Sequence, residues 1–418
     1  MAFFEKKTTG YGSRLSNSLR SVVRGLVLLI GGSFLLFWNE GNYVETEKAL
    51  EEGEQSVVPI VDIGTIDPQL NSKFIHATGL ADTKDSVRDE LFGVQDLAIA
   101  LDRKVEYFQW VEKTKKERKD KVGGSEEEIT TYTYDQEWSS EIINSANFKD
   151  PAYQNKNFVL TTIENKQHTA EHVSFGAYHL PDFIVHAIGG NEPININLST
   201  KEKQEWESNI AKNIPKAHSD SKAKDNSQAN LLHIQSNVAY IGKSASNPEI
   251  GDVRVTLTKT KPSVISILAK VNGNTFEPYI AQNGVVISQV TKGVISADNM
   301  FKNAHANNET ITWMFRLIGL LLVVVGFKTM FGFIEMLFKI VPFLSNIVGS
   351  GVGMIVTVVG IAWSLIIVAI AWLYYRPIIA LCFILVVVGL IIFLKTRRKN
   401  AVEQFHDGNP DVIEMQPQ

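Results

Sequence analysis

His168 and His172 stand four residues apart, and His179 and His186 follow at intervals of seven, a spacing from which a metal site could be built. A zinc protease places Glu directly after the first His, where the carboxylate serves as general base. The run here is His168-Thr169-Ala170-Glu171-His172, and Pro181 interrupts the helical spacing, so no metal ligand is assigned. Glu106, Trp110, Glu137, Trp138 and Glu141 bring carboxylates and indoles together, as a paired-carboxylate mechanism would. Glu106 and Trp110 share one strand face, whereas the adjacent Glu137 and Trp138 point to opposite faces. Cross-strand packing accounts for the tryptophans without chemistry. Gly349-Ser350-Gly351-Val352-Gly353 has the glycine density of a phosphate loop, but such a loop follows a strand, and here the glycines open an apolar span. Small residues four apart let helices approach closely. Gly349, Gly353 and Gly360, with Gly31 and Gly32 upstream, are therefore read as packing positions, within one chain in preference to between chains.

The elements that position these residues are set by hydrophobicity. Apolar spans run from Trp313 to Phe331, from Ile347 to Tyr375 and from Ile378 to Leu394. Each is long enough to cross a hydrocarbon core of about 30 Å as a helix. A fourth runs from Gly25 to Trp38, extended upstream by Val22 and Val23. Bulky Trp38-Asn39-Glu40 follows it where a signal peptidase requires small residues, so it is read as an uncleaved anchor. No span carries an acid near its centre, which argues against proton-coupled transport. Lys6, Lys7, Arg14, Arg20 and Arg24 precede the first span, and Lys395, Arg397, Arg398 and Lys399 follow the last. The positive-inside rule then predicts cytoplasmic termini, and Trp38, Trp313, Trp372, Tyr374 and Tyr375 form an aromatic belt at the outer interface. Arg376-Pro377 leaves almost no loop between the last two spans, with Arg376 anchoring the turn among headgroups and Pro377 opening the next helix.

The expected order is a cytoplasmic N-terminus at 1–21, a transmembrane helix at 22–38, and an extracytoplasmic β-rich domain at 39–312. Helices at 313–331, 347–375 and 376–394 follow, with a cytoplasmic interfacial loop at 332–346 and a cytoplasmic tail at 395–418. The fold class predicted is a multipass α-helical membrane protein of four transmembrane helices, with a large α+β domain inserted between the first two. The chain has 418 residues, a net charge of −4 and a single cysteine, Cys382, so the domain must fold without an intramolecular disulfide. Inside it, Val44 to Glu54 reads as an acidic helix. Leu97 to Val111 and Ile129 to Trp138 read as the strands of a hairpin whose charged tip spans Lys113 to Glu128. A helix is expected from Lys201 to Ile214, and a polar linker at 216–230 is the expected internal boundary. A β-meander over Leu231–Ile241, Val253–Lys259, Val264–Val271 and Val285–Val290 is expected next, turning at Asn247-Pro248, Asn272-Gly273 and Asn283-Gly284. Ser296 should cap a helix that runs into the second span.

Several stretches resemble the transmembrane protein 43, or LUMA, family. They are Phe37-Trp38-Asn39-Glu40-Gly41, Val105-Glu106-Tyr107-Phe108-Gln109-Trp110-Val111-Glu112 and the run from Tyr132 through Glu137, Trp138 and Asn144 to Ser145. Asn247-Pro248-Glu249-Ile250-Gly251-Asp252 and Trp372-Leu373-Tyr374-Tyr375-Arg376-Pro377 complete the set, while 158–230 matches poorly. The resemblance implies a multipass protein that organises membrane protein complexes, resident in animals in the endoplasmic reticulum and inner nuclear membrane. A bacterial member would sit in the plasma membrane. It supplies no catalytic residue and no cofactor. The expected function is thus a non-enzymatic scaffold, the alternative being a membrane-bound enzyme acting on lipid or envelope substrates. Expected partners are the lipid bilayer, other membrane proteins and a second copy, with no nucleic acid. Trp110, Glu137, Trp138, Asn144, Asn247, Gly349, Gly353, Arg376 and Pro377 are the interaction or structural candidates.

Overall fold

The first proline of the chain is Pro59, and nothing before it compels a helix to stop. The computed structural model, which describes residues 3–213, 231–337 and 342–377, accordingly shows one helix, α1 (Tyr11–Ser56, 46 residues). It fuses the anchor with the acidic helix expected separately at Val44–Glu54, and at 1.5 Å per residue it is about 69 Å long. Helix α4 (Ala297–Leu337) starts where expected. The Ser296 carbonyl accepts the Met300 N–H at 3.0 Å, and its Oγ accepts that of Asn299 at 3.4 Å. Because α4 continues to Leu337 and α5 (Pro342–Tyr375) begins five residues later, most of the loop expected at 332–346 is helical. Three helices among the described residues are long and apolar enough to cross a membrane: Tyr11–Ser56, Ala297–Ile334 and Gly353–Tyr375. The span expected at 376–394 lies outside the described residues from 378 onward.

The chain divides into two units. Unit 1 holds Met1–Arg14, Lys48–Ala306 and Lys339–Pro342, and unit 2 holds Leu15–Glu47, Asn307–Phe338 and Phe343–Gln418. Unit 1 is a β-sandwich. Its strands before the undescribed 214–230 are β1 (Phe3–Thr9), β2 (Val58–Ile60), β3 (Phe74–Thr83), β4 (Ser86–Asp89), β5 (Val94–Leu97), β6 (Ala100–Asp120), β7 (Glu126–Ser139), β8 (Lys166–Thr169), β9 (Val173–Phe175), β10 (Tyr178–His179) and β11 (Glu192–Pro193), with helices α2 (Asp182–Ala187) and α3 (Thr200–Asn213). After it come β12 (Leu232–Gln235), β13 (Val238–Ile241), β14 (Val253–Thr260), β15 (Ser263–Asn272), β16 (Thr275–Glu277), β17 (Tyr279–Ile280), β18 (Val286–Ile287) and β19 (Gln289–Lys292). One sheet orders β1-β7-β6-β14-β13-β12, with β8 beside β6 and β11 beside β14. The other orders β10-β9-β3-β15-β16, with β2 beside β3 and β19 beside β15.

Period-2 alternation drives the two sheets together. Leu101, Val105, Tyr107, Val253, Val255 and Leu257 of the first sheet share a buried core with Ile75, Ala77, Ala81, Ile265, Ile267 and Ala269 of the second. Phe74 and Leu268, on the second sheet's other face, are buried against Ala49 and Leu50 of α1 and Met300 and Phe301 of α4. The Asn-Gly turns at 272–273 and 283–284 form as expected, with φ of +59° at Gly273 and +85° at Gly284.

The stretch after 230 is no simple meander, because β14 pairs β13 and β6 in the first sheet while β15 crosses to pair β3 in the second. For the same reason 216–230 is no domain boundary, since both sheets take strands from either side of it.

Phe3 to Thr9 is a strand rather than a free basic tail, antiparallel to β7 from Phe3↔Tyr132 to Thr9↔Glu126. Lys6 pairs with Glu127, and the Tyr132 hydroxyl donates to Glu5 at 2.8 Å. The buried Arg14 guanidinium donates to the Gly124 carbonyl at 2.7 Å, to Asp120 at 2.6 Å and to Glu126 at 3.1 Å. An open, charged sheet edge is not tolerated in hydrocarbon. The expected division between a cytoplasmic N-terminus at 1–21 and an extracytoplasmic hairpin tip therefore separates residues that the structure joins. With Lys7→Cys and Glu128→Cys in a Cys382→Ala background, mild oxidation of native membranes is expected to form a disulfide, since facing strand residues sit about 4.5–5.5 Å apart. Failure of this pair to cross-link under conditions that oxidise a solvent-exposed pair would contradict the β1–β7 ladder.

Candidate functional site

The stretch Phe37-Trp38-Asn39-Glu40-Gly41 organises unit 2. Glu40 is 1 % exposed, and its carboxylate accepts Nε and Nη2 of Arg316 at 2.6 and 2.8 Å and Nε1 of Trp372 at 2.8 Å. One side chain of α1 thereby joins α4 and α5. Asn39 donates to the Thr312 carbonyl at 3.2 Å, and the Arg316 guanidinium lies 4.7 Å over the Trp313 ring. Gly41 is required by a close approach, because a Cβ there would stand 2.4 Å from the Tyr375 ring. Phe37 packs on Tyr374 and Tyr375. Arg376 lies 5.0 Å over Tyr43 and 5.8 Å over Trp372, so the expected turn anchor is also an aromatic clasp, and Pro377 is exposed.

Glycine contacts within one chain bring α1 and α4 together. A Cβ on Gly25 would meet the Gly326 carbonyl at 2.6 Å, and one on Gly32 would meet Leu322 at 2.9 Å. Gly360 of α5 packs on Val324. Of the glycines expected to pack, Gly32 and Gly360 do, Gly31 and Gly353 meet nothing within 4 Å, and Gly349 lies within α5. Gly25, Gly319 and Gly326 were missed, although Gly319 and Gly326 stand seven apart in α4 and Gly25 stands seven before Gly32 in α1.

In unit 1 the tryptophans lie at the root of the β6–β7 arm. Trp138 is half-buried, 5.2 Å from Phe108 and 6.2 Å from Tyr240, with the Arg254 guanidinium 4.4 Å over its ring. Arg254 also holds Glu106 at 2.8 and 3.0 Å. Burial raises the Glu106 pKa, but Arg254 and Lys104 outweigh it and keep the carboxyl below its ordinary value. Glu137 points to the other face and pairs with Lys113. The candidate carboxylates are thus kept apart, each beside its own cation, which is the arrangement of structural ion pairs. Trp110 packs edge-on to Tyr153 at 4.8 Å. Its N–H donates to Asn157 Oδ1 at 2.8 Å and its carbonyl accepts from Asn157 Nδ2 at 2.9 Å, so one side chain stands in for a strand.

Asn144 accepts the Ala146 N–H at 3.0 Å to start a turn, and the exposed Asn247 closes another on the Ser244 carbonyl at 3.1 Å. The Asn247 turn leads to Asp252, which accepts the Tyr240 hydroxyl and the Glu249 N–H. Burial pushes the Asp252 carboxyl up, and burial followed by the Asp252 hydrogen bond pushes the Tyr240 phenol up.

The histidines do not converge. His168 stands 3.9 Å from Asp89, His172 contacts Asp85 at 3.3 Å and His179 by ring at 6.2 Å, and His186 bonds its own helix at the Asp182 carbonyl. No group of three or more His, Cys, Asp or Glu that could hold a metal occurs among the described residues. Sequence reasoning missed the fully buried Asp89, which accepts Arg103 at 2.8 Å and the N–H groups of Leu91 and Phe92. Near it a cleft of about 460 Å³ is lined by Glu90, Thr161, Glu202, Glu205, Trp206 and Asn209, among others. Trp206 of α3 stacks on Phe92, and Glu202 is engaged by Ser199 in a capping box at 2.6 and 2.8 Å.

Buried charges are costly alone and tolerable in pairs. Glu40→Met and Arg316→Met are each expected to lower the melting temperature of the purified full chain in detergent, by the equivalent of about 3 kcal/mol. The double substitution should melt closer to the unaltered protein than either single change. Additive losses would contradict the pairing.

The family profile of transmembrane protein 43 matches residues 107–377. The chain is 27% identical over 398 residues to transmembrane protein 43 of Rattus norvegicus, covering 93% of this chain and 92% of the relative. It is 26% identical over 382 residues to that of Homo sapiens, covering 89% and 88%. To the Drosophila melanogaster homolog it is 28% identical over 386 residues, covering 89% and 94%. No solved structure matches. The profile covers most of the β6–β7 hairpin, the strands that follow it and helices α4 and α5, and the relatives align over about nine-tenths of the chain. The chain belongs to the transmembrane protein 43 family.

Proposed function

We propose that this protein is a non-enzymatic integral membrane scaffold that holds other membrane proteins, or further copies of itself, through a β-sandwich and its projecting arm. The observation that carries the reading is the clasp within unit 2. The buried Glu40 carboxylate of α1 holds Arg316 of α4 and Trp372 of α5, so its polar groups are spent on joining three apolar helices. A carboxylate engaged in this way supports a fixed helical frame, as a platform requires and as hydrolysis does not. The pairing of Glu106 with Arg254 and of Glu137 with Lys113 supports the same reading, because it removes the carboxylates from acid–base duty. In animals the family resemblance favours the endoplasmic reticulum and inner nuclear membrane.

The basic flank from Lys6 to Arg24 favours the cytoplasmic face for the N-terminus. The β1 strand pairs with the hairpin tip, and β6 runs unbroken from that tip into the main core, so the expectation that 1–21 and 39–312 lie on opposite faces is given up.

The test sets scaffold against enzyme. Two differently tagged copies, or the chain and neighbouring integral membrane proteins, should co-purify in defined ratio from native membranes. Trp206→Ala with Glu205→Ala, which empties the wall of the cleft, should leave that ratio unchanged. Turnover of membrane lipid by the purified chain, lost in the same double variant, would overturn the scaffold in favour of the enzyme.

A further inference from the structure

Strand β6 has two backbone edges, and they are treated differently along its length. From Ala100 to Tyr107 one edge pairs with β14. The next contacts on that side come from turns: Phe108 donates to the Asp252 carbonyl at 2.9 Å, and Trp110 exchanges its two hydrogen bonds with the Asn157 side chain. Beyond Glu112 no strand among the described residues pairs there. Alternate residues of a strand turn their backbone groups to the same edge. Thr114, Lys116 and Arg118 therefore follow Trp110 toward the open side, while Lys113, Lys115 and Glu117 turn toward β7.

The far side of the same ribbon shows what this sheet accepts. The acidic run Glu126-Glu127-Glu128 of β7 is covered by a strand carrying Lys6 and Lys7, with Lys6 on Glu127. The open edge is the inverse, with Lys113, Lys115, Lys116, Arg118 and Lys119 against Glu117 and Asp120. Part of that charge is met inside the ribbon. Lys113 pairs with Asp135 and Glu137, Lys115 with Glu117, and Lys116 and Arg118 with Glu128. On β6 itself, over 113–120, five cations stand against two acids. Lysines on an edge repel neutral and basic strands, which is how sheets avoid indiscriminate pairing. They leave the edge open to a strand whose own side chains are acidic.

We propose that the open edge of β6 from Lys113 to Arg118 is a docking site for an extended acidic segment of a partner protein, which adds to the arm as a further strand. The backbone N–H and C=O groups of Thr114, Lys116 and Arg118 hold the segment, and the lysines select its charge. This deepens the scaffold reading by naming one partner's chemistry and rests on it. Its test reads binding at this edge alone, so a failure here leaves the co-purification result standing.

The probe is a fluorescent peptide of about ten alternating Glu and Val residues, titrated by anisotropy into the full chain in nanodiscs of zwitterionic lipid. Saturable binding that weakens with salt is expected. Lys116→Pro removes an N–H that faces the open edge and spares the ladder to β7, so it should weaken binding about ten-fold or more at unchanged melting temperature. Lys116→Ala, which keeps the N–H, should cost less than about three-fold. Should Lys116→Pro not fold, Lys115→Glu with Lys119→Glu carries the test, by exchanging preference to a Lys–Val peptide. Absence of binding, equal binding of the Lys–Val peptide by the unaltered chain, or indifference to Lys116→Pro would overturn the site. Binding that appears only after residues 400–418 are deleted would give the edge to this chain's own acidic tail and overturn the partner assignment.

Discussion

The continuity of strand β6 is the constraint on which most of unit 1 depends. Its first eight residues place Leu101, Val105 and Tyr107 in the main core, and its last eight reach the tip where Asp120 meets Arg14. A strand cannot bend freely between those ends without losing ladder bonds, so the core fixes the arm and the arm fixes the N-terminal strand. Fourteen residue pairs join β6 to β7, against eight joining it to β14. The longer ladder lies mostly beyond the main core shared by the two sheets. Cross-strand ion pairs and the Tyr132, Tyr134 and Phe148 cluster hold it instead.

Unit 2 solves a different problem by the same logic of satisfied polar groups. Glu40 and Asn39 are both nearly inaccessible at the end of an apolar stretch, a position that would be costly if either were unpaired. The bidentate Arg316 grip, with the Trp372 indole on the second oxygen, makes the carboxylate a three-helix clasp. Glycines at Gly25, Gly32 and Gly326 then let α1 and α4 backbones approach as lipid-facing helices require. The family motif at residues 37–41 is therefore architectural: an aromatic, an amide, a carboxylate and a missing side chain, each with its own contact.

Local pattern made the helices, the hairpin, the Asn-Gly turns and the Ser296 cap legible in the sequence, because each is decided by residues within a few positions of one another. The strand alternation was legible too, but it is the same whichever sheet a strand joins, and so the crossing from β14 to β15 was not. The partnership of Phe3–Thr9 with Glu126–Tyr132 spans more than a hundred residues and has no local signal beyond opposite charge. Glu40 was visible inside a motif, yet its chemistry depends on Arg316, 276 positions away. Of the candidate residues, Trp110 and Trp138 fell on the faces expected, and Glu137 opposite Trp138. Asn157 and Asp89, which do comparable work, gave no sign, since isolated polar residues in a poorly patterned stretch read as surface, and Gln109 stood inside a motif without a role that alternation could assign.

The central claim is that the arm is an ordered ribbon with one covered and one open edge, and amide hydrogen exchange resolved to single residues tests it most directly. In the full chain in a bilayer mimic, the amides of Lys113, Lys115 and Glu117 should exchange slowly, as should those of β7 from Glu126 to Tyr132 that face β6 or β1. Thr114, Lys116 and Arg118 should exchange fast, giving an alternation of period two along β6. Uniformly fast exchange from Lys113 to Tyr132 would show that the arm is not a sheet at all, and with it the account of the N-terminus and of the docking edge would fail.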